Sequence, residues 1–486
     1  MLHRTATAIL VALAIFTMAC AVPFGPSYTI ERQQILVTFA PQTPGRVHVT
    51  STYRLKNTGA LDLSGIRAVL PLGAQNLRVT AKGAALTPAR PEPALREKGP
   101  AEKQETSAIF PLPFTSPLPR KAKLQLTLEF DVEAHGGAFY FADRDWNFEL
   151  RPPDESLARG APRASKTDLT VRVPENYRVL SGGMAHGVKH RGAEREFRFR
   201  FRDNDFNLFL LAGPYLEQKI RAGGTTIFLW TLKPLPPGEA QRAAERITQT
   251  IRLYEDTLGP RIRPRGPLWV ADFPTSWRST QPAVELAFMS TFPQGALINF
   301  EQISLDRFRT SATGLNLSAS LDLALAELWF SHLATPDPDI GVLNLALSAY
   351  AQHLARDAQG ASSDRRAFLS EEIARFDILL GVTKDTPILS LQPPVSGVQL
   401  RPARQKAILF LFALEEKVGK KNLLAAIKRM IQALRGSTYG WQELRSAVEA
   451  ESAQDLASMF RAWLNQPGIP AEFRARYADQ KPLERK

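Results

Sequence analysis

Apolar and polar positions alternate with period two through much of the first 220 residues. Residues 46–54 (RVHVTSTYR), 124–133 (LQLTLEFDVE) and 169–173 (LTVRV) place apolar side chains on one face and polar ones on the other. That is the pattern of half-buried strands. The sharpest case is 196–202 (EFRFRFR), with phenylalanines on one face and arginines on the other. Such an arginine row suits either a solvated strand face or a ligand-binding face. Prolines and charges interrupt the pattern between Leu86 and Arg120 (PARPEPALREKGPAEK, then PLPFTSPLPRK). Proline cannot donate to a ladder, so this passage reads as a long surface loop. Residues 143–146 (DRDW) read as a salt-bridged turn near a strand end, with an acidic metal site as the alternative.

Beyond residue 225 the period lengthens. Thr225–Leu232 reads as a strand, Pro237–Leu258 as an amphipathic helix closed by Gly259-Pro260, and Pro267–Asp272 as a second strand. The stretch from Leu321 to Gln352 (LDLALAELWFSHLATPDPDIGVLNLALSAYAQ) reads as two helices. They are separated at Pro336-Asp337-Pro338, because proline lacks an N–H and forces its predecessor out of the helical region. In 322–333 the titratable side chains are Asp322, Glu327 and His332 among a nearly continuous apolar surface, so this helix is expected deep inside a domain. The expected class is a multidomain α+β protein. An antiparallel β-sandwich over 28–220 precedes a mostly helical domain over 225–475, and 476–486 form a charged tail.

Composition adds a compartment. A length of 486 residues suggests two or three domains, and 44% hydrophobic residues suffice for real cores. Residues 1–20 combine a basic start, an apolar run (Thr5–Phe16) too short to span a bilayer, and small residues before Cys20. This reads as a bacterial export signal. Cys20 is the single cysteine, which excludes an intrachain disulfide and a cysteine-based zinc cluster. Its position suits acylation as a lipoprotein, although Thr17 stands where leucine is usual; cleavage near Ala19 or Ala21 is the alternative. The expectation is an exported, membrane-anchored envelope protein. The net charge of +13 then points to anionic lipid or polysaccharide rather than nucleic acid. No G-x-S-x-G elbow, P-loop or dinucleotide-binding glycine pattern occurs.

The central helices resemble the gluzincin membrane-alanyl-aminopeptidase family of zinc peptidases. Leu325-Ala326, Trp329-Phe330, Leu333 and Thr335 match scaffold letters of its H-E-L-A-H-Q-W-F-G-N-L-V-T helix, and Leu343-Asn344 and Tyr350 those of its L-N-E-G-F-A-x-Y helix. The family's first histidine falls on Leu323, its general-base glutamate on Ala324 and its second histidine on Glu327. Its third ligand falls on Leu345, or on Ala346 without a gap. The glutamate of the G-A-M-E-N motif falls on Ser290, with Glu285 nearby in a shifted register, and the oxyanion tyrosine falls on Arg404. Val179–Gly183 and Asn207–Tyr215 resemble the family's saddle-shaped N-terminal domain. Leu411–Leu414, Gly419, Leu423–Arg429, Trp441–Leu444, Asp455–Phe460 and above all Trp463–Pro470 (WLNQPGIP) resemble its closing helices. The likeness covers roughly 30–475 and implies a thermolysin-like peptidase domain.

The same alignment argues against the activity. Two histidines at i and i+4 clamp a zinc, and a catalytic zinc needs three N, O or S ligands plus a water; leucine offers none. The resemblance therefore implies a pseudo-peptidase without cofactor, binding a peptide or protein partner at the envelope. Its cleft candidates are Glu327, Arg404, Ser290 and Glu285, and Glu327 is expected to pair with Arg404. The alternative is an active metallo-aminopeptidase holding zinc through His332 and His353. Glu327 and His332 lie about 140° apart around a helix, so they do not share one ion. A third, purely structural envelope role would show as a closed cleft with an exposed apolar patch elsewhere.

Overall fold

The computed structural model describes residues 28–39, 45–71, 74–86, 107–134, 139–142, 149–151, 164–202, 209–260, 267–272, 289–292, 295–298, 317–330, 335–336, 342–358, 365–381, 383–391, 397–435 and 437–477. The sequence readings at Cys20, 143–146, Glu285 and His332 lie outside them.

The period-two stretches become strands. These are β1 (Tyr28–Phe39), β2 (Arg46–Asn57), β3 (Leu63–Pro71), β4 (Gln75–Lys82), β5 (Ser107–Leu118), β6 (Lys123–Glu133), β7 (Phe139–Ala142), β8 (Glu149–Arg151), β9 (Lys166–Pro174), β10 (Arg178–Ser181), β11 (Met184–Arg191), β12 (Glu194–Arg202) and β13 (Phe209–Gly213). One sheet runs β11-β12-β9-β1-β2-β6-β4; the other two run β5-β3-β8 and β10-β13-β7. Their apolar faces share one core: Val37, Val49, Leu126, Phe130 and Val171 from the large sheet meet Ile66, Leu112, Leu150 and Leu210 from the small ones. Pairing is antiparallel except between β1 and β9, which run parallel. A long crossover between the two is what a parallel pair requires.

One sequence expectation is corrected here. Residues 107–118, read as loop because of their prolines, form β5 and pair with β3, Pro111 opposite Arg67 and Pro113 opposite Gly65. The physical reason is position: β5 is the edge of its sheet, where a missing N–H faces no partner. Gly65 permits the approach, since a Cβ there would lie 3.0 Å from Leu112 O and 3.0 Å from Pro113 Cα.

The second core begins at the next strand. β14 (Leu216–Ala222) pairs with β15 (Thr225–Thr231), so the sheet boundary falls at 213–216 rather than at 220. The sheet continues through β16 (Leu268–Asp272), β18 (Gly295–Ile298) and the edge strand β17 (Met289–Phe292). Helices follow: α1 (Glu239–Leu258), α2 (Leu317–Phe330), α3 (Val342–Ala358), α4 (Arg365–Leu380), α5 (Gly397–Val418), α6 (Lys420–Ala433), α7 (Trp441–Ser452), α8 (Ala457–Leu464) and α9 (Ala471–Tyr477). Thr335–Pro336 (β19) pairs in parallel with Thr438–Tyr439 (β20). The rest of the turn expected at Pro336-Asp337-Pro338 lies outside the described residues.

α2 is as buried as its letters imply: Leu321, Ala324, Leu325, Ala326, Trp329 and Phe330 are all inside. The Trp329 indole donates to Gly259 O at 2.8 Å, which ties α2 to the end of α1. The WLNQPGIP exit is held by chain-distant polar groups: the Lys406 ammonium donates to Gln466 O, and Gly468 N–H donates to Asp385.

Candidate functional site

Along α2, from Leu321 to Phe330, only Leu323 and Glu327 are not fully buried; along α3, from Val342 to Tyr350, only Leu345 and Ala349 are not. In each helix the two positions are four apart, so they share one face. α2 packs against α3, β17 and β18. The half-open faces of two adjacent helices therefore pass through the positions singled out by sequence. Ala324, by contrast, is 0% exposed and belongs to the core. Ser290 lies on edge strand β17.

Arg404, on α5, comes to the same place. Burial pushes its guanidinium pKa down, and the charge of Glu327 opposes that effect. The Nε of Arg404 is buried without a hydrogen-bond partner. A further member, Tyr439, has no counterpart in the sequence reading. Its hydroxyl donates to Phe330 O at 2.6 Å and lies 3.5 Å from Asn344 Oδ1. Burial, and then the Glu327 charge, raise its phenol pKa well above the usual range. Tyr439 reaches α2 through the β19–β20 pairing, which the letters around it (STYGWQE) do not signal.

His353 belongs elsewhere. Its ring centroid lies 4.7 Å from Phe368 and 4.9 Å from Phe412, and its Nε2 is 3.6 Å from Asp357. Burial lowers its pKa despite that carboxylate. Beside it, Tyr350 donates to Glu415 Oε2 at 2.5 Å and Arg365 donates to Oε1 at 2.5 Å. This is a satisfied polar cluster between α3, α4 and α5. Among the described residues no three His, Cys, Asp or Glu side chains converge.

Behind the half-open face lies a polar network that sequence reasoning also missed. Asp322, 0% exposed, accepts from Arg246 at 2.7 Å and from Thr250 at 2.8 Å, and Tyr254 donates to its backbone oxygen at 2.9 Å. Burial raises the Asp322 carboxyl to about 6, against the opposing pull of Arg246. The partners come from α1, roughly seventy positions earlier, so no local motif marks them.

No protein-family model matches the chain, and no curated protein does. Among solved structures the chain is similar to a variant M1 zinc metallopeptidase from Deinococcus radiodurans. The TM-score is 0.53 at 16% identity, over 91% of this chain and 96% of that one. At that identity the likeness is one of fold: a β-rich N-terminal domain followed by a helical C-terminal region.

Proposed function

We propose that the chain is a catalytically degenerate relative of the gluzincin aminopeptidases, exported, lipid-anchored through Cys20, and used as a peptide- or protein-binding scaffold at the bacterial envelope. The observation that carries the reading is the donor set along the half-open α2–α3 face. Of Leu323, Glu327 and Leu345, only Glu327 offers a lone pair, and its negative charge acts on the Arg404 guanidinium. These residues do not fit a catalytic zinc, which requires three N, O or S ligands and a water. The arginine supplies instead what a half-buried carboxylate needs, an opposite charge in place of lost water. His353, held between Phe368 and Phe412, does not repair the set. Among the described residues no helix is long and apolar enough to cross a membrane.

The test is metal content by mass spectrometry on protein purified without added zinc, then melting under zinc titration and an aminoacyl-anilide hydrolysis assay. The expected result is no stoichiometric zinc, no zinc-dependent rise in Tm and no hydrolysis. Stoichiometric zinc would overturn the reading. For the scaffold role, a photo-crosslinker replaces Leu345 in cells, with Leu61, 82% exposed on the sandwich, as control position. A discrete adduct at 345 and none at 61 is expected; equal labelling at both sinks the cleft.

A further inference from the structure

The large sheet of the sandwich carries an arginine cluster that neither core uses. Arg32 donates through Nε at 2.9 Å and Nη2 at 2.5 Å to Asp168 Oδ2, and Arg200 through Nε at 3.2 Å to Oδ1. Arg172 donates through Nε to Glu196 Oε2 at 3.0 Å, Arg198 through Nε and Nη2 to Oε1 at 2.9 and 2.6 Å, and Arg191 Nε lies 3.2 Å from Oε2. Five guanidinium groups from β1, β9, β11 and β12 thus share two carboxylates. The Glu196 carboxylate is 0% exposed, while the five arginines keep 35–50% of their side-chain surface.

The acids are spent holding the arginines. Burial would raise the Glu196 carboxyl, but the bonds from Arg172 and Arg198 and the nearby charges hold it below its ordinary value; Asp168 behaves alike under Arg32 and Arg200. Strand alternation puts further charges on this face: Lys166 on β9, Lys189 on β11 opposite Glu196, Arg54 on β2 opposite Arg32, and Glu194 opposite Arg191. Around the cluster, the residues named make eight cations against the three carboxylates of Asp168, Glu194 and Glu196, a local net of +5. Met184, 53% exposed, stands directly opposite Arg200.

We propose that this sheet face docks on an anionic phospholipid bilayer, with Arg32, Arg172, Arg191, Arg198 and Arg200 meeting lipid phosphates. Three features select that occupant. The cations spread across neighbouring strands about 4.8 Å apart, a planar array matched to a surface of phosphates rather than to one enclosed anion. Most bind their carboxylate through the Nε edge, and a guanidinium has further N–H donors for phosphate oxygens. The apolar Met184 beside Arg200 suits the boundary between headgroups and acyl chains. The inference does not rest on the scaffold reading. It also supplies the second attachment that a lipid-anchored chain uses for stable membrane binding.

The test is co-sedimentation of the full chain with phosphatidylcholine vesicles, with and without about one-third phosphatidylglycerol. The N-terminal segment is common to all variants, so the preference for anionic vesicles reads the face. In Arg172→Gln/Arg198→Gln/Arg200→Gln the preference should fall roughly 100-fold, three charges at about 1 kcal/mol each. Lysine at the same three positions should restore most of it, Asp168→Asn should raise it, and salt should abolish it. An unchanged preference in the glutamine variant overturns the proposal. So does a lysine variant as weak as the glutamine one, which marks a discrete bidentate anion site. Alginate binding through the same arginines without any vesicle preference overturns it as well, in favour of an acidic polysaccharide. Should the triple variant fail to fold, Arg191→Gln and Asp168→Asn carry the test alone, with a fall of about 5-fold in the first and a rise in the second.

Discussion

Asp322 gives the most quantitative prediction. Its folded-state pKa of about 6 stands above its ordinary 3.8. The gap is about 2 units, worth about 3 kcal/mol at 1.36 kcal/mol per unit. Because the folded pKa is raised, the native chain holds this proton more tightly than the unfolded chain does. Below about pH 3 both states are protonated and the group carries no penalty. As pH rises from 3 through 6 the unfolded chain ionises first, and stability falls by about 3 kcal/mol, the loss being complete near pH 7. Asp322→Asn removes the titration while keeping one acceptor, its Oδ1 for Arg246, and turning its amide N–H toward the Thr250 hydroxyl, which can accept it. The measurement is denaturant unfolding of both proteins from pH 3 to 8, taking the difference in unfolding free energy at each pH. The wild-type chain should lose about 3 kcal/mol relative to the variant between pH 3 and 7. A flat difference, or one that grows in favour of wild type, would refute the reasoning and show that Arg246 outweighs burial.

Three further expectations follow from the same geometry. His353, whose pKa burial lowers, should contribute the opposite slope: stability falls as pH drops below the unfolded imidazole value near 6.5. His353→Phe should flatten that acid limb in urea titrations, and an unchanged limb would place the effect elsewhere. Tyr439→Phe removes the bond to Phe330 O and leaves that carbonyl buried, so unfolding free energy should drop by about 1–3 kcal/mol; a neutral substitution would show that the oxygen has another donor. Leu323→His/Glu327→His/Leu345→Glu should confer a zinc-dependent rise in Tm that the parent chain lacks. No response in a folded variant would mean that the three positions do not converge on one point.

Much of the architecture is legible in the letters. The alternation in 46–54, 124–133 and 169–173 becomes β2, β6 and β9, and the near-continuous apolar run of 321–330 becomes the buried α2. Gly259, with Pro260 after it, marks the end of α1. A period of two or of 3.6 fixes which side chains share a face, because it follows from backbone geometry alone. The absence of metal-ligating letters at Leu323 and Leu345 is legible in the same way, since an aliphatic side chain offers no lone pair in any fold.

Which faces meet is a different matter, and there the sequence is silent. Nothing local says that Asp322 will be paired with Arg246 and Thr250, that Tyr439 will reach Phe330, or that the prolines of β5 will sit on an edge. The arginine row of β12 is written in the sequence, but its binding meaning depends on β9 pairing antiparallel beside it, and β1 beyond β9, bringing Arg172, Asp168 and Arg32. A side chain's charge state and worth are set by how much water it loses and which opposite charges replace it. Those quantities belong to the packed molecule, where residues more than a hundred positions apart become neighbours.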